Sequence, residues 1–401
     1  MRYFTIFVLL LFQLYGHSQS VIVNVQYQGL KRTKATTLNR VIGINHKRIK
    51  TLDSSSVIAK AKQDLYNTRL FSSITYKSQL KNDTLKLTFT LIERWYTYAV
   101  PYFDLIDRNF NEWWVTRNHD VNRIIIGADF TQKNVTGRND DLSLSILAGN
   151  QNRLQLEYRL LNFIKQGKFG LKFTSQYHAY RNVNVQNNSN QLVFSHFDDV
   201  SLTKFQSNTS FYYHPSFAKH AWLNLGYQYS LATNNVLKLN PNYLGIENLS
   251  QLNIGILKTG FRIDTRDIRG YAQKGSLLFA ELTRFTMFKR QSLSFTELNI
   301  RYTRHVPFKE KADLGLTSII KLSTDKPRPY ELNRGLGWGV NAIRCYDYYV
   351  IDGAFFFAQK TSIRYKIIDK NVKAKRFPIK SFRLIPLKVA PKLFFDVAYV
   401  K

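Results

Sequence analysis

Residues 142–160 read LSLSILAGNQNRLQLEYRL, two runs in which apolar residues recur at every second position on either side of a Gly-Asn turn. A period of two is the pattern of a β-strand with one apolar face, because successive side chains point to opposite sides of a sheet. Similar segments recur from residue 122 to the end of the chain. Thirteen are predicted, at 122–131, 140–149, 152–162, 167–178, 190–199, 206–213, 220–232, 252–263, 275–284, 292–305, 312–322, 354–368 and 391–400.

Several features of these segments predict that they cross a membrane. Many have about ten residues, the length that a tilted transmembrane strand needs, and aromatic residues are frequent near their ends, as at membrane–water interfaces. No stretch after residue 20 is long and uncharged enough for a membrane helix. Strands in lipid close into a barrel, since every backbone group there needs an internal partner. A large soluble β-sandwich or propeller is the alternative, and the absence of a blade-length repeat counts against it.

The N-terminus predicts export. Arg2 precedes an apolar stretch from Thr5 to Tyr15, and the small residues Ser18 and Ser20 follow, which is the order of a secretory signal peptide. The apolar stretch is shorter than the roughly 20 residues of a membrane helix. We expect the mature chain to begin near residue 21. Because the chain has a single cysteine, no internal disulfide is expected.

The chain is strongly basic, with 58 Lys and Arg against 27 Asp and Glu and a formal net charge of +31. A nucleic-acid partner is not expected, because the charges are scattered along the alternating segments and an exported chain seldom meets nucleic acid. Three explanations remain open at this stage: basic loops in contact with anionic lipopolysaccharide, basic side chains that line a lumen, and a generally basic proteome.

Residues 21–94 differ from the rest, because they alone contain convincing helix patterns. Apolar residues recur there at helical spacing in two stretches, and Asp53 with Ser54 can cap the second of them. A Lys-Asn-Asp sequence at 81–83 is good turn chemistry between two closing strands. The predicted order is strand, helix, helix, strand and strand, at 21–27, around 38–42, and at 53–66, 71–80 and 84–92.

This region resembles a POTRA domain. In that family a Gly turn follows the first strand, and a Leu-x-x-x-x-Leu-Phe stretch precedes the two closing strands. Here Gly29 occupies the turn, and Leu65, Leu70 and Phe71 form the stretch. The predicted domains are a signal peptide at 1–20, a POTRA domain at 21–94, a linker at 95–121 and an outer-membrane β-barrel at 122–401.

The later segments resemble the C-terminal barrel of the bacterial surface antigen family, which includes assembly factors of the BamA type, translocation factors of the TamA type and two-partner secretion transporters. A Gly-Arg turn at 137–138 before a Leu-Ser strand looks like the family's early hairpin. Asp264, Arg266 and Asp267, followed by Gly275, resemble its central Asp-x-Arg-Asp hairpin. The resemblance implies an all-β transmembrane antiparallel β-barrel preceded by one small α+β POTRA domain.

The most specific resemblance is the stretch Ile343-Arg344-Cys345-Tyr346, which is similar to the Val-Arg-Gly-Phe/Tyr tip of the family's long sixth extracellular loop. In the family that loop folds into the lumen after the eleventh strand, and here it follows the eleventh predicted segment. Its partner in the family is an acid on the thirteenth strand, which corresponds to Asp396. An Arg inside a lumen needs a carboxylate, and a bidentate pair fixes a loop firmly. The resemblance therefore implies a loop lock.

The sequence departs from the family pattern at several positions. Cys345 replaces the Gly of the loop tip, so a positive φ there would be strained. Ser362 stands where the twelfth strand usually has a Glu, Ala272 where the central hairpin usually has a Pro, and Ala398 where a Gly follows the acid. The family barrel has sixteen strands, whereas about thirteen are predicted here. An open set of strands would leave unpaired backbone groups in lipid. Either the gene product is C-terminally truncated, which we favour, or the barrel closes in some other way, or the protein is not functional as written.

No catalytic constellation is found, so neither an enzyme nor a cofactor is expected. The resemblance implies an outer-membrane assembly or translocation factor: the periplasmic POTRA domain docks unfolded clients by strand addition, with residues 71–80 as the candidate edge, and the barrel inserts or passes them. Implied partners are these clients, outer-membrane lipid and lipopolysaccharide, with accessory lipoproteins as further candidates. A two-partner-secretion transporter and a passive porin-like or structural barrel are the alternatives.

Overall fold

The computed structural model of the chain describes residues 20–50, 54–107, 109–161, 168–216, 218–267, 271–309, 311–373 and 384–401. The predicted signal peptide lies outside these residues, apart from Ser20. The chain divides into two compact units. Unit 1 takes the residues up to 98 together with 131–142 and 159–170, and unit 2 takes the remainder.

The N-terminal part of unit 1 is a four-stranded sheet with two helices. The predicted order of strands and helices is found, with one short additional strand, β2. The sheet order is β2-β1-β4-β3, in which β1 and β4 are parallel and the other pairs antiparallel. The elements are β1 (Ser20–Gln28), α1 (Ala35–Ile42), β2 (Arg48–Lys50), α2 (Ser54–Asn67), β3 (Phe71–Lys81) and β4 (Thr84–Glu93).

Buried apolar side chains from the sheet and both helices form the core of this part of unit 1. Leu65, Leu70 and Phe71 are fully buried there. Gly29 lies in the turn after β1 with φ +85°, and a Cβ at this position would lie 2.2 Å from the carbonyl oxygen of Leu91. Only glycine fits, because the backbone here has a positive φ and there is no space for a Cβ atom.

The rest of the chain is dominated by one antiparallel sheet of 13 strands, joined in the order β5-β6-β7-β8-β9-β12-β13-β14-β15-β16-β17-β20-β23. Among the described residues no pairing joins its two end strands, β5 and β23. Three two-stranded ladders, β10-β11, β18-β19 and β21-β22, lie outside this sheet. The elements are β5 (Thr97–Leu105), β6 (Ile124–Lys133), β7 (Asp140–Ala148), β8 (Gln151–Leu161), β9 (Phe169–Tyr180), β10 (Asn182–Asn188), β11 (Gln191–His196), β12 (Leu202–Ser216), β13 (Lys219–Ala232), α3 (Asn234–Leu239), β14 (Gln251–Asp264), β15 (Gly275–Met287), β16 (Phe295–Lys309), β17 (Ala312–Ser323), β18 (Arg334–Leu336), β19 (Ile351–Asp352), β20 (Phe356–Tyr365), β21 (Ile368–Lys373), β22 (Leu384–Val389) and β23 (Lys392–Val400).

Two strand predictions were wrong. Residues 97–105, assigned to the linker, form β5 at the edge of the sheet, where Pro101 is tolerated because an edge strand can spare an N–H. Residues 190–199 do not join the sheet. Instead β10 and β11 form a separate hairpin whose turn residues, Ser189 and Asn190, both have positive φ, and its strands are shorter than a membrane crossing needs.

The sheet has an apolar and a polar face. On β14, Leu257 and Phe261 are exposed on one face, here called the outer face. Lys258 and Arg262 lie on the other, the inner face, as the strand alternation requires. No helix among the described residues is long and apolar enough to cross a membrane.

The connections at the two ends of unit 2 differ in length. At one end β12–β13 and β16–β17 are joined by tight turns. At the other end, residues 181–201, 233–250 and 324–355 form long connections that share an apolar core with the ends of the adjoining strands. Fully buried members of that core include Val236, Leu244 and Met287.

Candidate functional site

The connection between β17 and β20, residues 324–355, is here called the long loop. It contains two short 3₁₀ turns, Tyr330–Leu332 and Gly339–Asn341, and its arms pair through β18 and β19. The β10–β11 hairpin contacts it as well. The carbonyl of Asn190 accepts from the backbone N–H of Val350 at 2.8 Å. This internal pairing gives the long loop a defined fold.

The first anchor of the long loop is Arg344 on Asp396 of β23. The Arg344 Nε lies 2.9 Å from one carboxylate oxygen, its Nη2 donates to the other, and its backbone N–H adds a bond of 3.2 Å. Nη2 also donates to the carbonyl of Thr361 at 3.0 Å, and the guanidinium lies 4.3 Å from the ring centroid of Phe394. The Asp396 side chain is buried. This is bidentate, charge-assisted geometry, the strongest kind of side-chain pairing.

The neighbours of Arg344 differ in their surroundings. Ile343 packs beside Ile319 and Phe356, whereas Tyr346 is exposed and lies 5.2 Å, centroid to centroid, from Tyr349. Cys345 has φ +65°, in the left-handed region that non-glycine residues occupy at a cost. The strain foreseen for a positive φ at this position is therefore present.

The second anchor lies on β12 and β13. Glu331 pairs with Lys204 of β12 and accepts from Gln228 Nε2 of β13 at 2.9 Å. From Gln228 a line of amides runs across the inner face: Gln206 Nε2 donates to Gln228 at 2.7 Å, and Gln176 Nε2 donates to Gln206 at 2.6 Å. The Lys204 and Glu331 side chains are each about nine-tenths buried, at 12% and 11% exposure. Both charges are thus compensated inside the protein.

Two further lysines on the inner face support the backbone of the long loop. Lys321 Nζ donates to the carbonyl of Arg334 at 2.7 Å and pairs with Glu297 at 3.1 Å. Lys360 Nζ donates to the carbonyls of Val340, at 3.0 Å, and Ala342. The long loop is therefore attached to β12, β13, β17, β20 and β23, all through polar contacts on the inner face.

Residues 122–376 match the sequence model of the OMP85 superfamily. The chain belongs to this superfamily. Its members are non-enzymatic transporters and assembly factors of the outer membrane, which supports that location and an insertion or translocation role here.

Three solved structures share the superfamily fold with this chain. BamA from Haemophilus ducreyi lacking POTRA domains 1-3 aligns with 95% of this chain and 72% of its own, at 15% identity and a TM-score of 0.64. CdiB from Acinetobacter baumannii aligns with 96% and 64%, at 15% identity and a TM-score of 0.55. CdiB from Escherichia coli aligns with 94% and 77%, at 12% identity and a TM-score of 0.52. No curated protein matches the chain by sequence.

The central hairpin residues of this OMP85 chain lie together at the tight-turn end. Asp264 is buried and accepts from Arg266 Nε at 2.8 Å. Asp267 accepts from the backbone N–H groups of residues 273 and 274, at 3.0 and 3.3 Å. Gly275 has φ +101°, and a Cβ there would lie 2.3 Å from the carbonyl oxygen of Thr265. The motif therefore joins the two arms of the connection between β14 and β15.

A buried ion pair lies beside this turn. Arg364 of β20 donates through Nε to Asp313 of β17 at 2.9 Å, and Nη2 donates to Asp313 and to the carbonyl of Ala272. The guanidinium lies 4.5 Å from the ring centroid of Tyr271. Ala272, where the family usually has a Pro, thus takes part through its backbone carbonyl, which accepts from Arg364. Ser362 occupies the inner face where the family usually has a Glu, and its Oγ lies 3.4 Å from the carbonyl of Gly315.

Unit 1 contains polar contacts that join residues 31–37 to Glu93 and to the turn at 137. Glu93 accepts from the backbone N–H groups of residues 31, 32 and 33, at 2.8–3.2 Å. Burial alone would raise the pKa of the Glu93 carboxyl, but these bonds lower it below its usual range. Gly137 has φ +80°, and its carbonyl accepts from Lys34 N–H and Thr37 Oγ1, both at 3.0 Å. The Gly-Arg turn at 137–138 is thus part of unit 1.

The sequence predicted Arg344 and Asp396 as partners, and the structure places them in contact; their role as a lock stays a prediction. Sequence reasoning missed the second anchor. Lys204 and Glu331 are ordinary charged residues of a basic chain, and no motif marks them. The available signal was the recurrence of Gln at inner-face positions of three neighbouring strands, at 176, 206 and 228. Long amide side chains on neighbouring strands can form a hydrogen-bond network with one another.

Proposed function

We propose that this protein inserts proteins into the outer membrane or passes them across it, in the manner of a BamA- or TamA-type factor. The observation that carries the proposal is the long loop held across the inner face of an OMP85 sheet by Arg344–Asp396 and Lys204–Glu331. A passive channel needs no such fastening. A loop fixed by a few polar contacts can be released when a client competes for them.

Residues 21–94 are proposed to be a POTRA domain in the periplasm that receives the unfolded client. Its strand β3 pairs with β4 on one side only and lies at the edge of the four-stranded sheet. Most of its residues after Ile74 are exposed. An unpaired edge of this kind can accept an extended peptide as an added strand. Accessory lipoproteins and the lipids of both leaflets are further proposed partners.

The anchors are proposed to set the resting state. Arg344 and Lys204 attach the loop to two widely separated strands, β23 and β12, with six strands of the sheet between them. Release of the loop from one set of strands would leave it tethered by the other, so the lumen could open without unfolding the loop. The long loop would then act as the part of the barrel that a client displaces.

Depletion of the protein tests the role in the cell. We expect the levels of other outer-membrane barrels to fall, and wild-type protein to restore them. Arg344→Ala should restore them poorly, while Arg290→Ala, which removes an exposed Arg from a turn, should restore them fully. Normal barrel levels with one exported protein failing to reach the surface would instead identify a two-partner-secretion transporter. Normal levels of the other barrels, together with normal delivery of exported proteins to the surface, would identify a passive or structural barrel.

Site-specific crosslinking tests the docking edge. A photo-crosslinking residue at Lys77 or Gln79, both exposed on β3, should capture an unfolded barrel precursor. The same residue at Lys47, exposed elsewhere in unit 1, is the control. Equal capture at both places would contradict docking at the β3 edge.

A further inference from the structure

The connection between β20 and β23, residues 366–391, lies at the end of unit 2 where the other described connections of the sheet are shorter. Only two residues separate β12 from β13, and only two separate β16 from β17. Short turns mark the periplasmic end of outer-membrane barrels. This connection instead carries a hairpin, β21–β22, in which Ile368 is opposite Val389 and Lys370 opposite Leu387.

The base of this hairpin is joined firmly to the sheet. The backbone N–H of Ile367 donates to Val389 at 2.9 Å, and that of Tyr365 donates to Pro391 at 3.1 Å. The backbone N–H of Lys366 donates to Lys311 in the β16–β17 turn at 2.7 Å. The hairpin is therefore a direct continuation of β20 and β23 past the end of the sheet.

Exposed apolar side chains continue from the outer face of the sheet into the hairpin. Along one chain Ile363 and Tyr365 are followed, after an irregular step at 366–367, by Ile368, which lies opposite Val389 and on the same face. Along the other, Leu393 follows Leu387 and Val389, which are 43% and 42% exposed. The outer face of an outer-membrane barrel contacts lipid, so this apolar strip extends the lipid-contacting surface beyond the strands.

Lysines accompany the strip. Lys309 at the end of β16, Lys311 in the β16–β17 turn and Lys370 opposite Leu387 in the hairpin are all exposed. With a rise of about 3.3 Å per residue and a tilt of about 40°, Val389 lies about 8 Å past the start of β23, the depth of a headgroup layer. Apolar side chains with lysines at that depth suit a membrane interface with negative charge.

We propose that the base of the β21–β22 hairpin and the β16–β17 turn form a binding surface for anionic phospholipid headgroups of the inner leaflet. The lysines neutralise the phosphates, while Ile368, Leu387 and Val389 enter the acyl boundary. An acidic protein would use the lysines but would not need an apolar strip continuous with the lipid-facing strands. The proposal is independent of whether the protein inserts or exports clients.

The test uses the full chain in lipid nanodiscs. A solvatochromic dye is attached at Val389→Cys in a Cys345→Ser background, and its emission and its quenching by acrylamide are compared between pure phosphatidylcholine and a mixture with one third phosphatidylglycerol. We expect a blue shift and quenching at least about twofold weaker in the anionic discs. High salt should reduce both effects, because dissolved ions screen the attraction between the lysines and the lipid phosphates.

Charge reversal supplies the matched comparison. Lys311→Glu with Lys370→Glu should abolish the difference between the two lipids, whereas Lys47→Glu with Lys62→Glu, exposed lysines of unit 1 outside the β3 edge, should preserve it. If the reversed variant does not fold, the lipid and salt comparisons on the unreversed chain still decide. Identical emission in both lipids would overturn the proposal. So would a shift that requires added polyglutamate, which would identify an acidic polypeptide as the partner.

Discussion

The two anchors of the long loop differ in chemistry and in how they are encoded. Arg344 donates to Asp396 from its planar guanidinium and from its backbone N–H, and the guanidinium also contacts the ring of Phe394. Lys204 holds Glu331 as a point charge, and its geometry depends on glutamines from neighbouring strands. The planar fork of an Arg fixes the orientation of its carboxylate partner by itself, whereas the orientation of a Lys–carboxylate pair depends on the surrounding side chains. A short motif around Arg344 therefore marks the first anchor in the sequence, whereas no motif marks the second.

The largest effect is expected from Arg344→Ala. It removes every side-chain bond of the first anchor and leaves the Asp396 carboxylate buried without its partner, a change that costs about 3–5 kcal/mol. Hydrogen–deuterium exchange of the full chain in nanodiscs should accelerate at residues 339–349 and stay unchanged at 328–334. Arg290→Ala is the control. Unchanged exchange at 339–349 would mean that the pair does not hold the loop.

Lys204→Ala should give the reciprocal pattern with a smaller effect. Glu331 keeps its bond from Gln228, so the expected loss is about 1.5–3 kcal/mol, the value of a hydrogen bond to a charged group. Exchange should rise at residues 328–334 and not at 339–349. Lys172→Ala, which breaks a Lys–Glu pair on the inner face with Glu157, is the matched control. Acceleration along the entire loop would show that the two anchors act as one unit.

Cys345→Gly should strengthen the first anchor. A glycine occupies φ +65° without the penalty that a side chain incurs, so we expect a gain of about 1 kcal/mol. Exchange at residues 339–349 should slow. Cys345→Ala keeps the Cβ and should bring no gain. Equal behaviour of the two variants would locate the strain elsewhere.

The smallest effect is expected from Gln206→Leu, which interrupts the amide line without touching Glu331. The loss is about 1 kcal/mol, that of one neutral hydrogen bond. Exchange at residues 328–334 should rise slightly, with Asn208→Leu on the same strand as the control. A loss as large as that of Lys204→Ala would mean that the glutamines, and not the ion pair, hold the second anchor.

The strand count shows how a sequence prediction can succeed through compensating errors. The predicted segment at 190–199 is not in the sheet, and the unpredicted strand β5 is. The total of thirteen and the position of the long loop after the eleventh strand both survive, because one error cancels the other. Alternation is visible locally, but whether a strand joins a sheet depends on length and on partners far along the chain.

By itself the sequence determined the elements with strong local signals: the alternating strands, the helices of unit 1, Gly29 in its turn, and the pairing of Arg344 with an acid on the last strand. The strands and helices follow from side-chain period, whereas Gly29 in its turn and the acid partner of Arg344 were implied by the resemblance to known families. Only the tertiary structure decided which strands pair, that β21–β22 extends past the sheet, and that Lys204, Glu331 and three glutamines converge on the inner face. The contacts of Glu331 with Lys204 and Gln228 join residues 127 and 103 positions apart, and neither period nor propensity carries that information.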